Sequence, residues 1–336
     1  MENSIFDKEN GLQIIINAKE NGFYPKEKML GIIKILKKEL LEIDEIKLSL
    51  IKIEYCFKKK EIVNIKEKIK EEIIKINDSS KISFSFEIPD NIEPSFEYPS
   101  YNVKAYIRYF FEASITFNKQ VYISSYLILI KCKAIIKETK LKFENNINVS
   151  SYFINRGNCS LIAEINDNYF TLDDYIILNI EINNEKCSLN IIEIKFDIIR
   201  ELCVYINEKS ELIYDEEIIT KINKEIDIKK NERGTLNFSM KIEDRVKSVD
   251  FENWENPYQN RDIIYLMPTV DSNHIKSFYQ LKITLYFDGY VTYNYRPRIV
   301  IPINVGHQSK IEYKMNLFKL QKVNFNNDIF DSSFDY

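Results

Sequence analysis

Alternation constrains this chain more than any other feature. Residues 81–88 read Lys-Ile-Ser-Phe-Ser-Phe-Glu-Ile, with Ile82, Phe84, Phe86 and Ile88 on one side. Residues 279–286 repeat the pattern with Tyr279, Leu281, Ile283 and Leu285, and residues 103–115 are dense in aromatic and β-branched side chains. Successive side chains of a strand point to opposite faces, so an apolar residue at every second position buries one face of a sheet and leaves the other in water. Many such runs, separated by clusters of Asn, Asp, Gly or Pro, predict an antiparallel all-β sandwich. The chain has 336 residues, more than a single core sustains, and domains of about 150 residues are usual.

One segment departs from this period. Its apolar residues Ile62, Ile65, Ile69, Ile73 and Ile76 are spaced by 3, 4, 4 and 3, and Lys and Glu fill the intervening positions. That spacing predicts one amphipathic helix over 62–76, lying on a sheet and ended by Asn77-Asp78-Ser79-Ser80.

The two halves repeat each other. Glu45-Ile-Lys-Leu-Ser-Leu-Ile-Lys52 matches Glu193-Ile-Lys-Phe-Asp-Ile-Ile-Arg200, 148 positions later. Upstream, 21–35 matches 168–182; downstream, Phe84-Ser-Phe-Glu-Ile88 matches Phe238-Ser-Met-Lys-Ile242, and Val103-Lys-Ala-Tyr106 matches Ile275-Lys-Ser-Phe278. One order of elements used twice predicts two tandem sandwiches. We divide the chain into a first domain over 1–146, a second over 147–322 and a tail over 323–336, with a hinge in the polar stretch 144–157. The second half carries 18 additional residues between the last two anchors (172 − 154), within Glu243–Leu266, where the single Trp254 lies.

Composition narrows the chemistry. With 7 Gly and no G-x-G-x-x-G or G-x-x-x-x-G-K-[ST] run, phosphate-cradling loops are not expected. The 2 histidines, His274 and His307, do not suffice for a histidine metal cluster. A net charge of −4 supplies no global attraction to nucleic acid. Five scattered cysteines without a C-x-x-C pair suggest reduced, buried thiols. The polar start and the shortness of every apolar run predict neither a leader nor a membrane span. Acid pairs such as Asp173/Asp174 and Glu216/Glu217 read as solvated surface in a chain with 51 acids. No catalytic residue, metal or cofactor is therefore expected.

Several strings in this order resemble the arrestin superfamily. Phe23-Tyr-Pro-Lys-Glu-Lys-Met-Leu-Gly31 is similar to the family's aromatic-Pro-Gly-Glu-x-hydrophobic-x-Gly signature, with Lys26 in place of Gly. Phe84-Ser-Phe-Glu-Ile-Pro-Asp-Asn-Ile-Glu-Pro-Ser-Phe96 resembles its F-x-F-x-(I/L)-P-x-x-(I/L)-x-P-S segment. Gly157–Ile165, 169–200, Met267-Pro-Thr-Val270, His274–Ile283 and Arg298–Ile303 resemble successive parts of its C-domain. The resemblance implies two tandem immunoglobulin-like β-sandwiches and a non-catalytic cytosolic adaptor. Such a protein binds cytoplasmic tails of membrane receptors or cargo and links them to endocytic or signalling machinery, clathrin adaptors among them. A structural subunit of a retromer-like coat is the competing role. The stretch 62–76 resembles the N-domain helix of visual and β-arrestins, whereas the short strand spacing and the absence of a recognisable polar-core Arg–Asp set look more like α-arrestins. A Pro-Pro-x-Tyr motif is absent; Tyr98-Pro-Ser-Tyr101 does not replace it.

Three partner-binding features are expected. Lys58, Lys59 and Lys60 form a small basic run suited to phospholipid or a phosphorylated tail. Trp254, near Phe251 and Tyr258, is an aromatic anchor on a polar segment. Ile329, Phe330 and Phe334, interleaved with Asp328, Asp331 and Asp335, form an acidic aromatic tail resembling that of β-arrestins. The expected location is the cytoplasm, with peripheral recruitment to membranes.

Overall fold

A computed structural model describes residues 12–306, apart from 17–21, 38–39, 41–42, 59–60, 77–79, 100–102, 132–138, 152–153, 172–173, 208–209 and 243–266. The first half contributes β1 (Leu12–Ile16), β2 (Lys28–Ile35), β3 (Glu45–Lys58), β4 (Glu61–Lys75), β5 (Lys81–Glu87), β6 (Phe96–Pro99), β7 (Lys104–Phe117) and β8 (Gln120–Ile128). A β1-β2-β5 sheet faces a β4-β3-β7 sheet, and β6 and β8 share the far edge of β7. The second half contributes β9 (Thr139–Ser151), β10 (Ile154–Asp167), β11 (Tyr169–Phe170), β12 (Tyr175–Cys187), β13 (Ile191–Asn207), β14 (Ser210–Ile228), β15 (Arg233–Lys241), β16 (Val270–Asp271), β17 (Ile275–Phe287) and β18 (Arg298–Val305). Here β15-β12-β10-β9 faces β11-β18-β17-β13-β14, with β16 on β17.

Alternation places the cores where the sequence predicts them. On β5, Ile82, Phe84 and Phe86 are buried while Ser83 and Ser85 are exposed. Phe84 stacks on Phe111 and Phe86 meets it edge-on, each with centroids 5.1 Å apart, the offset and T-shaped arrangements aromatic quadrupoles favour. Gly31 lies opposite Phe84. A Cβ there would stand 2.5 Å from the Phe84 ring and 2.6 Å from the Ile15 carbonyl oxygen, so only Gly admits the ring. Cys56, Cys159, Cys187 and Cys203 are buried thiols.

The internal repeat extends to single hydrogen bonds. The Ser95 N–H donates to the Ile130 carbonyl (2.8 Å) and the Ile130 N–H to Ser95 Oγ (2.9 Å); Thr269 and Val305 reproduce both bonds at 2.8 and 2.9 Å. Beside them, Phe23 forms a parallel bridge with Ile130, and Phe170 pairs in parallel with Val305.

Two expectations are overturned. The helix over 62–76 is a strand, β4, paired antiparallel along β3. Leu50 lies opposite Lys70 and Ile51 opposite Lys68, which leaves Ile69 as the extra residue of a β-bulge. Before the bulge Val63 and Ile65 face the core; beyond it Ile74 and Ile76 do. A parity switch inside one strand produces the spacings of three and four that mimic a helix. Ile62 and Ile73, assigned to the same helical stripe, are 62% and 55% exposed. The described residues of the expected hinge over 144–157 are also strand. Residues 144–151 and 154–157 belong to strands β9 and β10, in which Glu144 pairs with Ile162 and Asn148 with Asn158. Their polarity marks an exposed sheet face, and residues 139–146 are thus part of the second sandwich.

Candidate functional site: the seam between the sandwiches

Strand β13 is 17 residues long and serves both cores. Ile194, Phe196 and Ile198 lie in the second core, while Leu202 and Val204 lie in the first. Arg200 occupies the same face between them and is fully buried. Strand β17 makes the same transition, from Leu281 in the second core through buried Ser277 to Ile275 in the first. On β14, Asp215 and Glu217 separate Ile219 from Ile213. With Met267 and Val270 also in the first core, the second half completes the apolar interior of the first sandwich, and a belt of polar residues marks the crossing.

Strand register sets one motif in each half. Lys52 lies opposite Glu67 on β4 and Tyr109 on β7. Arg200 lies opposite Glu217 on β14 and Tyr279 on β17. The sequence repeat already aligns Lys52 with Arg200. Lys52 Nζ lies 2.8 Å from Glu54 and 3.3 Å from both Glu67 and Glu93; Arg200 is ion-paired with Glu217. Each tyrosine hydroxyl donates to a loop carbonyl two residues before Ser95 or Thr269: Tyr109 to Glu93 at 2.9 Å and Tyr279 to Met267 at 2.7 Å. A buried charge demands such partners, because isolating it from water is costly.

The electrostatics follow. Burial opposes the charge on Lys52, but Glu54, Glu93 and Glu67 together hold its ammonium above the ordinary lysine value. Burial likewise works against Arg200, and Tyr279, Glu217 and Tyr98 outweigh it. Burial raises Tyr109, Tyr279 and Tyr98, with Arg200 pulling the last two back in part.

Direct bonds cross the seam. The Arg200 guanidinium stacks 4.3 Å from the Tyr98 ring centroid, and the Tyr98 hydroxyl donates to Asp215 at 2.8 Å. Ser272 Oγ lies 2.9 Å from Glu54 Oε2 while accepting the Ile275 N–H at 2.8 Å. Lys58 Nζ donates to the Tyr214 carbonyl at 2.8 Å. A shallow groove of about 460 Å³ opens beside these contacts, lined by Tyr205, Asp271, Ser272, Asn273 and Lys276. Fixed cations, carboxylates and hydroxyls arranged this way hold two bodies in register. Among the described residues no three His, Cys, Asp or Glu side chains stand together as metal ligands.

Residues 155–310 match the family model for the arrestin (or S-antigen) C-terminal domain. That span starts within β10 and takes in β13, β14 and β17, the strands that carry the seam. Residues 155–310 thus form an arrestin C-terminal domain, which supports membership of the arrestin superfamily. A comparison with curated proteins gives no match. No described helix is long and apolar enough to cross a membrane.

Of the expected site residues, Lys58 is drawn into the seam. Lys59, Lys60, Trp254, Ile329, Phe330 and Phe334 lie outside the described residues. The belt itself escaped sequence reading, although a signal was present: an Arg in line with the alternating apolar positions Phe196, Ile198, Leu202 and Val204, matched to Lys52 by the repeat. Tyr98, considered only within a failed motif, is the first sandwich's contribution to Arg200.

Proposed function

We propose that the chain is a non-catalytic adaptor that binds cytoplasmic regions of membrane receptors or cargo and links them to endocytic trafficking or signalling machinery. The arrestin C-terminal domain, joined through a shared interior to a second sandwich, carries this reading. Six apolar residues of one half in the core of the other make the two sandwiches a single broad surface, and extended segments of partners recognise such surfaces through sheet edges and pockets. Trp254 and the tail residues Ile329, Phe330 and Phe334 act as aromatic anchors, and the Lys58–Lys60 run makes peripheral contact with phospholipid. The division into a first domain, a second domain and a tail from 323 belongs to the same proposal. Crosslinking in native membranes followed by size-exclusion chromatography tests it. Elution as a small species crosslinked to cytoplasmic tails of membrane proteins supports the adaptor. Constitutive elution in a large, salt-stable complex assigns the chain to a coat instead.

A further inference from the structure

The sides of the two sandwiches differ in how they are closed. In the first, β8 lies beside β1, and Leu12, Gln13, Ile14 and Ile15 of β1 are all buried. On its opposite side, Lys70 of β4 donates to the Glu87 carbonyl of β5 at 2.9 Å and covers the Phe86 ring at 4.7 Å. In the second sandwich β9 lies beside β18. The remaining side lies between β14 and β15. There Lys224, on β14, reaches within 5.6 Å of the Phe238 ring, and among the described residues it makes no ion pair.

The two strands bordering this side carry different protection. Natural edge strands are guarded by charges or bulges against pairing with another chain. Strand β14 carries Asp215, Glu216, Glu217, Lys221, Lys224, Glu225 and Asp227, whereas β15 is uncharged from Gly234 to Met240. It pairs with β12 alone among the described strands, and its outward side chains Thr235, Asn237 and Ser239 are small, polar and exposed. Toward β14, Ile222, Ile226, Leu236 and Phe238 are only partly buried. They leave an apolar slot beside a row of backbone donors and acceptors that no described strand pairs.

We propose that the free edge of β15 is a strand-addition site for an extended segment of a partner protein, with apolar residues at alternate positions and carboxylates toward the Ser239–Lys241 end. The alternate apolar side chains fill the slot over Ile222, Ile226, Leu236 and Phe238, while the backbone extends the sheet. A carboxylate on the slot side meets Lys224, which lies over Phe238, and one on the outward side meets exposed Lys241; neither lysine has an ion pair among the described residues, whereas Arg233, at the other end, is already bound to Glu185 at 2.8 Å. A second copy of the chain is the wrong occupant. Antiparallel self-pairing centred on Asn237 sets Arg233 against Lys241, and like charges directly opposite are unfavourable.

This inference deepens the adaptor reading and rests on it for the existence of a natural partner, but its test uses the purified full chain. Hydrogen exchange is followed by mass spectrometry with the blocked peptide Thr-Val-Thr-Val-Thr-Val-Thr-Glu-Glu, whose first Glu falls on the side of the Val residues and whose second falls on the outward side, and with its counterpart carrying Lys in place of both Glu. The acidic peptide should slow exchange in 233–241 by about tenfold, and the lysine peptide should not. Thr235→Asp with Ser239→Asp, both exposed, should abolish the protection without changing the melting temperature. Lys224→Gln should weaken it and reduce its salt dependence. Equal protection by both peptides, protection at β1 or β5 only, or none at all overturns the proposal. Failure of the adaptor reading is seen separately, in the size-exclusion result, which the peptide experiment does not affect.

Discussion

Removing Glu217 should destabilise the protein more than removing Arg200, although the arginine makes more of the contacts. Arg200 has no exposed surface, whereas the Glu217 side chain is 30% exposed. Glu217→Ala leaves a guanidinium sealed from water with its principal counter-charge gone, and breaking a buried pair in this way costs about 3–5 kcal/mol. Arg200→Met keeps most of the stem volume and leaves a carboxylate that can still draw water. Its cost, mainly the lost pair and the contact with the Tyr98 ring, is about 2 kcal/mol. Arg200→Met combined with Glu217→Leu leaves no charge to desolvate and should fall within about 1 kcal/mol of the natural protein, since buried pairs are often replaceable by packed apolar groups. Urea unfolding of the four proteins, read as free energies, gives the order directly. In thermal melts a 3 kcal/mol loss should lower the midpoint by about 6–12 °C for a unit of 150–250 residues. If Glu217→Ala costs less than Arg200→Met, or if the double variant is no better than either single one, the account of the belt in terms of desolvation is wrong.

Gly31→Ala should cost about 1–3 kcal/mol by overpacking, because the new Cβ meets the Phe84 ring and the Ile15 carbonyl oxygen; urea titration checks it. Glu201 lies opposite Glu216, and burial followed by the Glu216 charge raises its carboxyl above the usual range. Glu216→Gln should therefore stabilise by about 0.5 kcal/mol at neutral pH, and the gain should vanish in acid as Glu201 takes up its proton. Tyr98→Phe, which leaves the stacking on Arg200 but removes the bond to Asp215, should cost about 1 kcal/mol in thermal melts. In alkali the sign is fixed by Lys52, Tyr98 and Tyr109, all held above their ordinary values of 10.5, 10.0 and 10.0. Each keeps its proton when folded at a pH where the unfolded chain has lost it. Unfolding then releases protons, and the urea midpoint should fall steadily above pH 10.0. A midpoint that stays level there would mean these groups are not buried as described.

Period and repetition determined the class of fold before any coordinate. Alternation at 82–88 and 279–285 buries the residues it marks, because a strand in a sandwich has one dry face and no freedom to choose another register. The repeat at 45–52 and 193–200 likewise implied two similar sandwiches, since equal patterns bury equal faces. What sequence could not determine depends on neighbours distant along the chain. The β4 bulge arises from pairing with β3, and within 62–76 alone its parity switch is indistinguishable from a helical stripe. The polarity of 144–157 belongs to an exposed sheet face, yet a solvated face and a hinge have the same composition. The same limit explains Arg200 and Lys52. In sequence each is one cation among 47, and only the packing of β6, β14 and β17 around β13 removes Arg200 from water. Tertiary structure alone decides which charge is sealed between two cores, because burial is a property of the strands on either side rather than of the residue itself.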